Sequence, residues 1–307
     1  MRVLLAYDDS PGSEQAASLV LGLPWPAGSS VRVVAVSEPS AAFMPMGLAP
    51  LDPATTQEIA DQIVQHLQSE VDLVVGRLRA SGIEAGGDVI RGRPGSVLVD
   101  EARRYEADLI VAGSRGHGPI ATLVLGSVSA ELVDHAACPV LIARQPSATR
   151  ALLATDGSPS AARAEALLGE WPILKDLPVR VVSVAEVERP LHSGLAPTVH
   201  RLALEAYSKD VEAATAQHEA IARSAANRLG TAGRDVSSTV RVGDAAAEIV
   251  EEASTWSADL VVLGSRGLTG LSRILLGSVA RNVLQGSASS ILVVRPPADA
   301  GDGPSPS

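Results

Sequence analysis

Aromatic residues are scarce: one phenylalanine, three tyrosines and three tryptophans make up 2% of 307 residues. The core must therefore be filled by Val, Leu, Ile and Ala. There is one cysteine, Cys138. That excludes a disulfide framework within the chain and a cysteine-built zinc site, and it fits a reducing compartment. Basic residues number 25 against 35 acidic ones, for a net charge of −10. Counterion release then supplies no general attraction to DNA or RNA, so no nucleic-acid partner is expected. No apolar run approaches the ~18 residues of a membrane helix. The opening MRVLLAYDDS passes from an apolar run straight into two acids, without the h-region or cleavage site of a secretory signal. A soluble, cytoplasmic protein without a membrane partner is expected.

Several catalytic signatures are also absent. The sequence contains no G-x-x-x-x-G-K-[ST], no H-E-x-x-H or H-x-x-E-H, and no G-x-S-x-G. Gly116-His-Gly118 lacks the third glycine of a dinucleotide fingerprint. The histidines, His66, His117, His135, His192, His200 and His218, do not form a metal set. No metal ligands are assigned, and no catalytic residues.

What is present is a repeat. Hydrophobic residues at 46% and charged residues at 20% describe a globular chain, and the length favours two domains. RVLLAYDDSP from Arg2 matches RALLATDGSP from Arg150, and VRVVAVSE from Val31 matches VRVVSVAE from Val179. ADLIVAGSRG from Ala107 matches ADLVVLGSRG from Ala258. The offset is 148 residues early and 151 late. A period this long is a duplicated domain, not a solenoid repeat. The expected domains are 1–146 and 147–296. The tail 297–307, rich in Pro, Gly, Ser and Asp, is expected to be disordered.

Each half alternates strand and helix signals. In the first half the strands are Val3–Tyr7, Val31–Val36, Ala85–Ile90, Leu109–Ala112 and Val140–Ala143. The intervening helices are Ser13–Leu21, with Ser13 as the N-cap, then Thr55–Ala80, Ser96–Tyr105 and Ser127–Ala136. Short continuous apolar strands separated by helices indicate a parallel sheet covered on both faces. The expected fold class is α/β: two tandem open five-stranded parallel-sheet sandwiches, Rossmann-like, with right-handed crossovers. The Pro-rich segment Ala41–Pro53 reads as packing over its own helix, or as a flap or partner surface.

Ligands of such sheets bind beyond the carboxyl ends of the strands, where strand order reverses. Two segments per half reach that edge. Asp8-Asp9-Ser10 and Asp156-Gly157-Ser158 follow the first strand. Gly113-Ser-Arg-Gly116, nine residues, then Gly126-Ser127 follow the fourth, and Gly264-Ser-Arg-Gly267, nine residues, then Gly277-Ser278 repeat it. Glycines let backbone approach a ligand closely, and a helix N-terminus favours an anion. Ser127 is placed to cap that helix, and hydroxyls at Ser114, Ser127 and Ser129 add donors. One copy alone is explained equally well by an ordinary βα loop; two with identical spacing point to phosphate. Asp8 and Asp156 suit either a ribose or base contact, or a turn.

The spacing G-2x-G-9x-G-[ST], preceded by ADLIV-x-GSRG and opened by D-x-S, resembles the universal stress protein family over nearly the whole chain. The resemblance implies an adenine-nucleotide α-hydrolase-like fold and ATP as ligand, accompanied by Mg²⁺ if phosphoryl transfer occurs. It places Asp8 and Asp156 facing adenosine, and Val36 and Val184 presenting backbone to adenine. Gly113, Arg115, Gly116, Gly126, Ser127, Val128 and Ser129 fall in the ribose- and phosphate-binding loop, as do Gly264, Arg266, Gly267, Gly277, Ser278 and Val279. Gly92 and Gly243 fall at the rim. The first copy departs from D-G-S with Asp9, whose carboxylate would oppose phosphate if it faces the site, and only the second loop carries a further cation, Arg273. The second site is therefore expected to bind ATP at least as well as the first. The family also implies pairing through the fifth strand, within the chain or in a homodimer. The function implied is nucleotide-dependent regulation in a stress response, with little turnover. Slow hydrolysis or transfer from ATP, and an interaction module with vestigial sites, are the alternatives.

Overall fold

The repeated strand and helix signals of each half resolve into one βα series. The computed structural model describes residues 1–38, 52–116, 125–187, 197–230, 233–267 and 276–295. Most of Ala41–Pro53, its counterpart up to Ala196 and the tail after Arg295 lie outside them. Contacts divide the chain into two units that meet in sequence at Ser147 and Ala148.

The first unit runs β1 (Arg2–Ala6), α1 (Pro11–Gly22), β2 (Ser30–Ser37), α2 (Pro53–Ala80), β3 (Glu84–Arg91), α3 (Pro94–Arg104), β4 (Leu109–Gly113), α4 (Ser127–His135) and β5 (Val140–Ala143). All strand pairs are parallel, in the order β3-β2-β1-β4-β5. The second unit repeats the series as β6 (Ala151–Ala154), α5 (Pro159–Glu170), β7 (Val179–Ala185), α6 (Pro197–Gly230), β8 (Val236–Val242), α7 (Ala245–Thr255), β9 (Leu260–Gly264), α8 (Ser278–Gly286) and β10 (Ser290–Val294). Its order is β8-β7-β6-β9-β10, again parallel. Strand order therefore reverses between β1 and β4, and between β6 and β9.

Burial follows the chain's own chemistry. Leu4, Leu5, Ile110, Ile142, Leu152 and Leu153 are fully buried aliphatics of the central strands. The outermost strands β3 and β8 are mostly half exposed, because each has a neighbour on one edge alone. That is why Ala85–Ile90 carries the weakest apolar signal. The buried carboxylates are paired. Glu101 of α3 meets Arg32 of β2 at 3.1 Å, and Glu252 of α7 meets Arg180 of β7 at 2.9 Å. Two of the few aromatics cover these arginines: Tyr105 lies 6.0 Å from the Arg32 guanidinium and Trp256 5.1 Å from that of Arg180. Burial pushes the Cys138 thiol up to about 11, which disfavours its reactive thiolate.

One helix start differs from expectation. The first helix begins at Pro11, not Ser13, and its N-cap is Ser10. Ser10 Oγ accepts from the Ser13 N–H at 3.2 Å, while Ser13 Oγ accepts from the Ser10 N–H at 3.0 Å. Ser13 thus completes a reciprocal capping box three residues inside the helix. Proline at the first helical position hid this start from apolar periodicity. Ser158 caps α5 from one side alone, accepting from the Ala161 N–H at 3.2 Å.

The second unit also holds a half-buried histidine. Ser183 of β7 donates its hydroxyl proton to the Thr155 carbonyl at 2.7 Å and lies 2.7 Å from Nδ1 of His218 on α6. Burial pushes His218 down from its ordinary value, against the opposing pull of the Asp156 and Glu186 carboxylates.

Two measurements check this account. Ser10→Ala and Ser158→Ala should each cost about 1 kcal/mol in denaturant unfolding, the usual value of an N-cap. The stability held by neutral His218 is complete above the unfolded value near 6.5. It is lost as pH falls below that value, because the unfolded chain takes up the proton first. His218→Asn should flatten the pH dependence of the unfolding midpoint between pH 7.5 and 5.5; an unchanged slope would refute the assignment.

Candidate functional site

At the reversal point of the first unit, the ends of β1, β2 and β4 surround a cavity of about 570 Å³. That size is typical of small-molecule sites. Its middle is apolar, with Ala6, Val34, Val36 and Leu98 on its walls. Asp8, Gly113, Arg115, Gly116, Gly126, Ser127, Val128 and Ser129 also line it, so the two predicted segments and the second strand converge on one space. Gly92 is not among the lining residues. It holds the turn from β3 into α3 at φ 152°, a conformation that favours glycine, and donates its N–H to the Ser37 carbonyl at 3.0 Å. Pro94 and Leu98 just beyond it reach the cavity instead.

The loop after β4 is held by the turn after β1. A side-chain carbon at Gly113 would strike the backbone of Gly12 and Ser13, and one at Gly12 would strike the Arg115 carbonyl. Ser10 Oγ lies 3.3 Å from that same carbonyl. The Gly126 N–H then donates to the Ser114 carbonyl at 2.9 Å, returning the chain to the start of α4. A side-chain carbon at Gly116 would strike Oδ2 of Asp8. The space above Gly116 is thus open only because no side chain stands there. Asp8 takes the turn role and also reaches the cavity. Its Oδ1 accepts from the Ser10 N–H at 3.2 Å in the turn, while Oδ2 faces Gly116 at the cavity.

The start of α4 corrects another expectation. The N-cap is Gly126, and no side chain caps the helix. Ser127 is the first helical residue and is exposed, so it does not cap. Ser129 is 4% exposed and donates to the Gly113 carbonyl at 2.7 Å, which braces the loop and uses its proton there. Ser127, Val128 and Ser129 of the first turn line the cavity, and among the described residues no side chain caps it. An uncapped helix N-terminus carries partial positive charge and favours an anion. Arg115 adds a full charge. Arg144, just past β5, lies near it; burial first, and the Arg115 charge second, push Arg144 down to about 10. Neither Arg144 nor Leu98 stood out in the sequence, since no local motif marks either.

Asp9 does not face the cavity. It stands at φ 58° and its carboxylate meets Nε2 of His66 on α2 at 3.1 Å. The expected repulsion of phosphate by Asp9 is therefore diverted to a histidine on a neighbouring helix. His117 and Arg273 lie outside the described residues.

The second unit builds the same frame. Gly264 approaches Ser160 and Ala161, and the Arg266 N–H donates to Ser160 Oγ at 3.1 Å. Ser158 Oγ lies 3.3 Å from the Arg266 carbonyl. Gly277 caps α8 without a side-chain bond, and its N–H donates to the Ser265 carbonyl at 2.9 Å. Ser278 and Val279 open that helix, and Val184 is half-buried on β7. A side-chain carbon at Gly267 would lie 2.8 Å from Oδ2 of Asp156. Gly243, at φ 153°, donates to the Ala185 carbonyl at 3.2 Å. Ser265, 2% exposed, finds no partner for its hydroxyl among the described residues. Gly157 replaces Asp9 at φ 76°, under Ile221 of α6.

Among the described residues no helix is long and apolar enough to cross a membrane, and no three His, Cys, Asp or Glu side chains cluster to hold a metal. The chain is similar to a universal stress protein of Thermus aquaticus, 30% identical over 142 residues that span 46% of this chain and 97% of that one. It is 31% identical over 201 residues to one of Mycobacterium tuberculosis, a match spanning 62% of each chain. Among solved structures, a universal stress protein from Archaeoglobus fulgidus shares the fold at 19% identity, with a TM-score of 0.64 and coverage of 96% of this chain and 98% of that one. The model of the universal stress protein family matches twice, over residues 1–144 and 148–295, and the chain belongs to that family as a tandem member.

Proposed function

We propose that each unit binds ATP and that the chain acts as a nucleotide-dependent regulatory protein of a stress response, with little turnover. One observation carries this reading: the polarity of the first cavity. One end offers the uncapped start of α4 and Arg115, which suit an anion. Beside them stands the Asp8 carboxylate, whose Oδ2 faces Gly116 and accepts hydrogen bonds, and Ala6, Val34, Val36 and Leu98 add an aliphatic wall. A nucleotide has matching parts: phosphate, ribose hydroxyls next to it, and a flat base of modest polarity beyond. The bare surface at Gly116 and the unpartnered Ser265 hydroxyl of the second unit fit the same ligand.

Low turnover follows from what surrounds the anion end. Hydrolysis needs an oriented water and a group to orient it. Asp8 is engaged by its own turn, and Glu38, the other carboxylate of the described lining, follows β2 rather than the loop between β4 and α4. The frame is a cradle that holds phosphate, and any Mg²⁺ would arrive with the nucleotide. With Asp9 turned to His66, its carboxylate does not weaken ATP binding at the first site.

Calorimetry on the purified chain should give two ATP per chain, falling to one in Gly116→Val and in Gly267→Val. No binding in the parent would overturn the proposal. A finer test uses Ser127→Pro. Proline suits the first helical position, and Gly126 before it already has the extended conformation proline requires. The substitution therefore removes one N–H without unfolding α4. A hydrogen bond to a charged group contributes about 1.5–3 kcal/mol, so ATP affinity at the first site should fall roughly ten- to a hundredfold. Adenosine binding should change little.

A further inference from the structure

The two units end their second strands alike and then diverge. VRVVAVSE and VRVVSVAE place Glu38 and Glu186 at matching positions directly after β2 and β7. The same backbone bond pins each glutamate beside the turn into the next helix: Gly92 N–H to Ser37, and Gly243 N–H to Ala185. In the second unit that helix opens with Asp244-Ala245. Glu186 Oε1 accepts from the Ala245 N–H at 2.8 Å, which occupies the carboxylate with helix capping.

In the first unit the helix opens with Arg93-Pro94. Proline has no N–H, so the bond that holds Glu186 cannot form with Glu38. Arg93 does not replace it, because its guanidinium points to Glu131 at 3.7 Å. Glu38 is exposed, makes no hydrogen bond or ion pair among the described residues, and lines the cavity together with Pro94, Val36 and Asp8. A single difference in backbone chemistry, Pro94 against Ala245, thus releases one glutamate into a site and ties its twin to a helix.

We infer that Glu38 is a specificity-determining residue of the first site, with no counterpart in the second. Its carboxylate accepts hydrogen bonds from the nucleoside end of the ligand, either the 6-amino group of adenine or the ribose hydroxyls. A carboxylate accepts and does not donate, so it favours amino and hydroxyl groups over a carbonyl in the same place. Its charge also repels phosphate, which directs the phosphates toward α4. The two sites then differ in ligand preference although their glycine loops agree. This inference rests on the nucleotide reading above.

The test uses full-length protein with the second site closed by Gly267→Val, and calorimetry with ATP, inosine triphosphate, 2′-deoxy-ATP and 3′-deoxy-ATP. Glu38→Ala should weaken ATP about tenfold and remove the preference for ATP over one class of analogue. Losing discrimination against inosine triphosphate assigns the 6-amino group; losing it against the deoxy analogues assigns the ribose. Because Glu38 is exposed, the variant should unfold at the parent's denaturant midpoint. In the reciprocal chain, with Gly116→Val, Glu186→Ala should leave nucleotide affinity unchanged. There, Ala245→Pro should free Glu186 and confer the discrimination that the first site shows. Tight ATP binding with identical discrimination in the parent and Glu38→Ala overturns the inference while sparing the nucleotide reading. No ATP binding in the parent overturns both.

Discussion

The contact between two loops sets everything else in each unit. The turn after the first strand and the loop after the fourth meet with no room for a side chain between them: Gly113 lies against Gly12 and Ser13, and Gly12 against the Arg115 carbonyl. The second unit makes the same contact between Gly264 and the Ser160 backbone. Packing this close leaves backbone polar groups to satisfy one another, and the D-x-S serines do so from the neighbouring turn. The open floor above Gly116, the direction of the α4 axis and the place of Asp8 all follow from it. A methyl group at the junction would separate the two strand ends and dissolve the site.

That frame explains how an acidic chain presents a surface to an anion. A net charge of −10 opposes a phosphate at long range. The field at the cavity is local, made by the uncapped first turn of α4 and by Arg115 with Arg144 behind it. The scarcity of aromatics is equally consequential. The described cavity walls include Ala6, Val34, Val36 and Leu98, with Tyr7 the one aromatic among the described lining residues. Tyr105 and Trp256 are spent elsewhere, over the arginines that neutralise buried glutamates.

Duplication supplied two copies of this frame, and small covalent differences give each copy its own surroundings. At the left-handed position after Asp8 stands Asp9, paired with His66; after Asp156 stands Gly157, covered by Ile221. Asp and Asn tolerate that conformation better than other non-glycine residues, so the backbone path survives the exchange. Pro94 and Ala245 differ by one N–H, and the glutamate before each turn takes a different role.

Much of this was legible from residues alone. Strands buried on both faces announce themselves as unbroken Val, Leu and Ile runs, so β1, β4 and β5 could be placed closely. The repeat offset told two units from one. The glycine spacing marked the loop, because close approach of backbone demands glycine wherever it occurs. Positions set by contacts between distant segments were not legible. Ser127 reads as a cap by type, yet Gly126 holds that place and Ser129 turns inward to Gly113. Asp9 reads as a threat to phosphate until His66, from a helix 57 residues on, claims it. Leu98 and Glu38 join the site through the fold alone. The sequence by itself determined the fold class, the duplication and the glycine loop, because these depend on local periodicity and on the absence of side chains. Only the tertiary structure decided where each carboxylate and hydroxyl points, because that depends on which donors lie within about 3 Å once the chain has closed on itself.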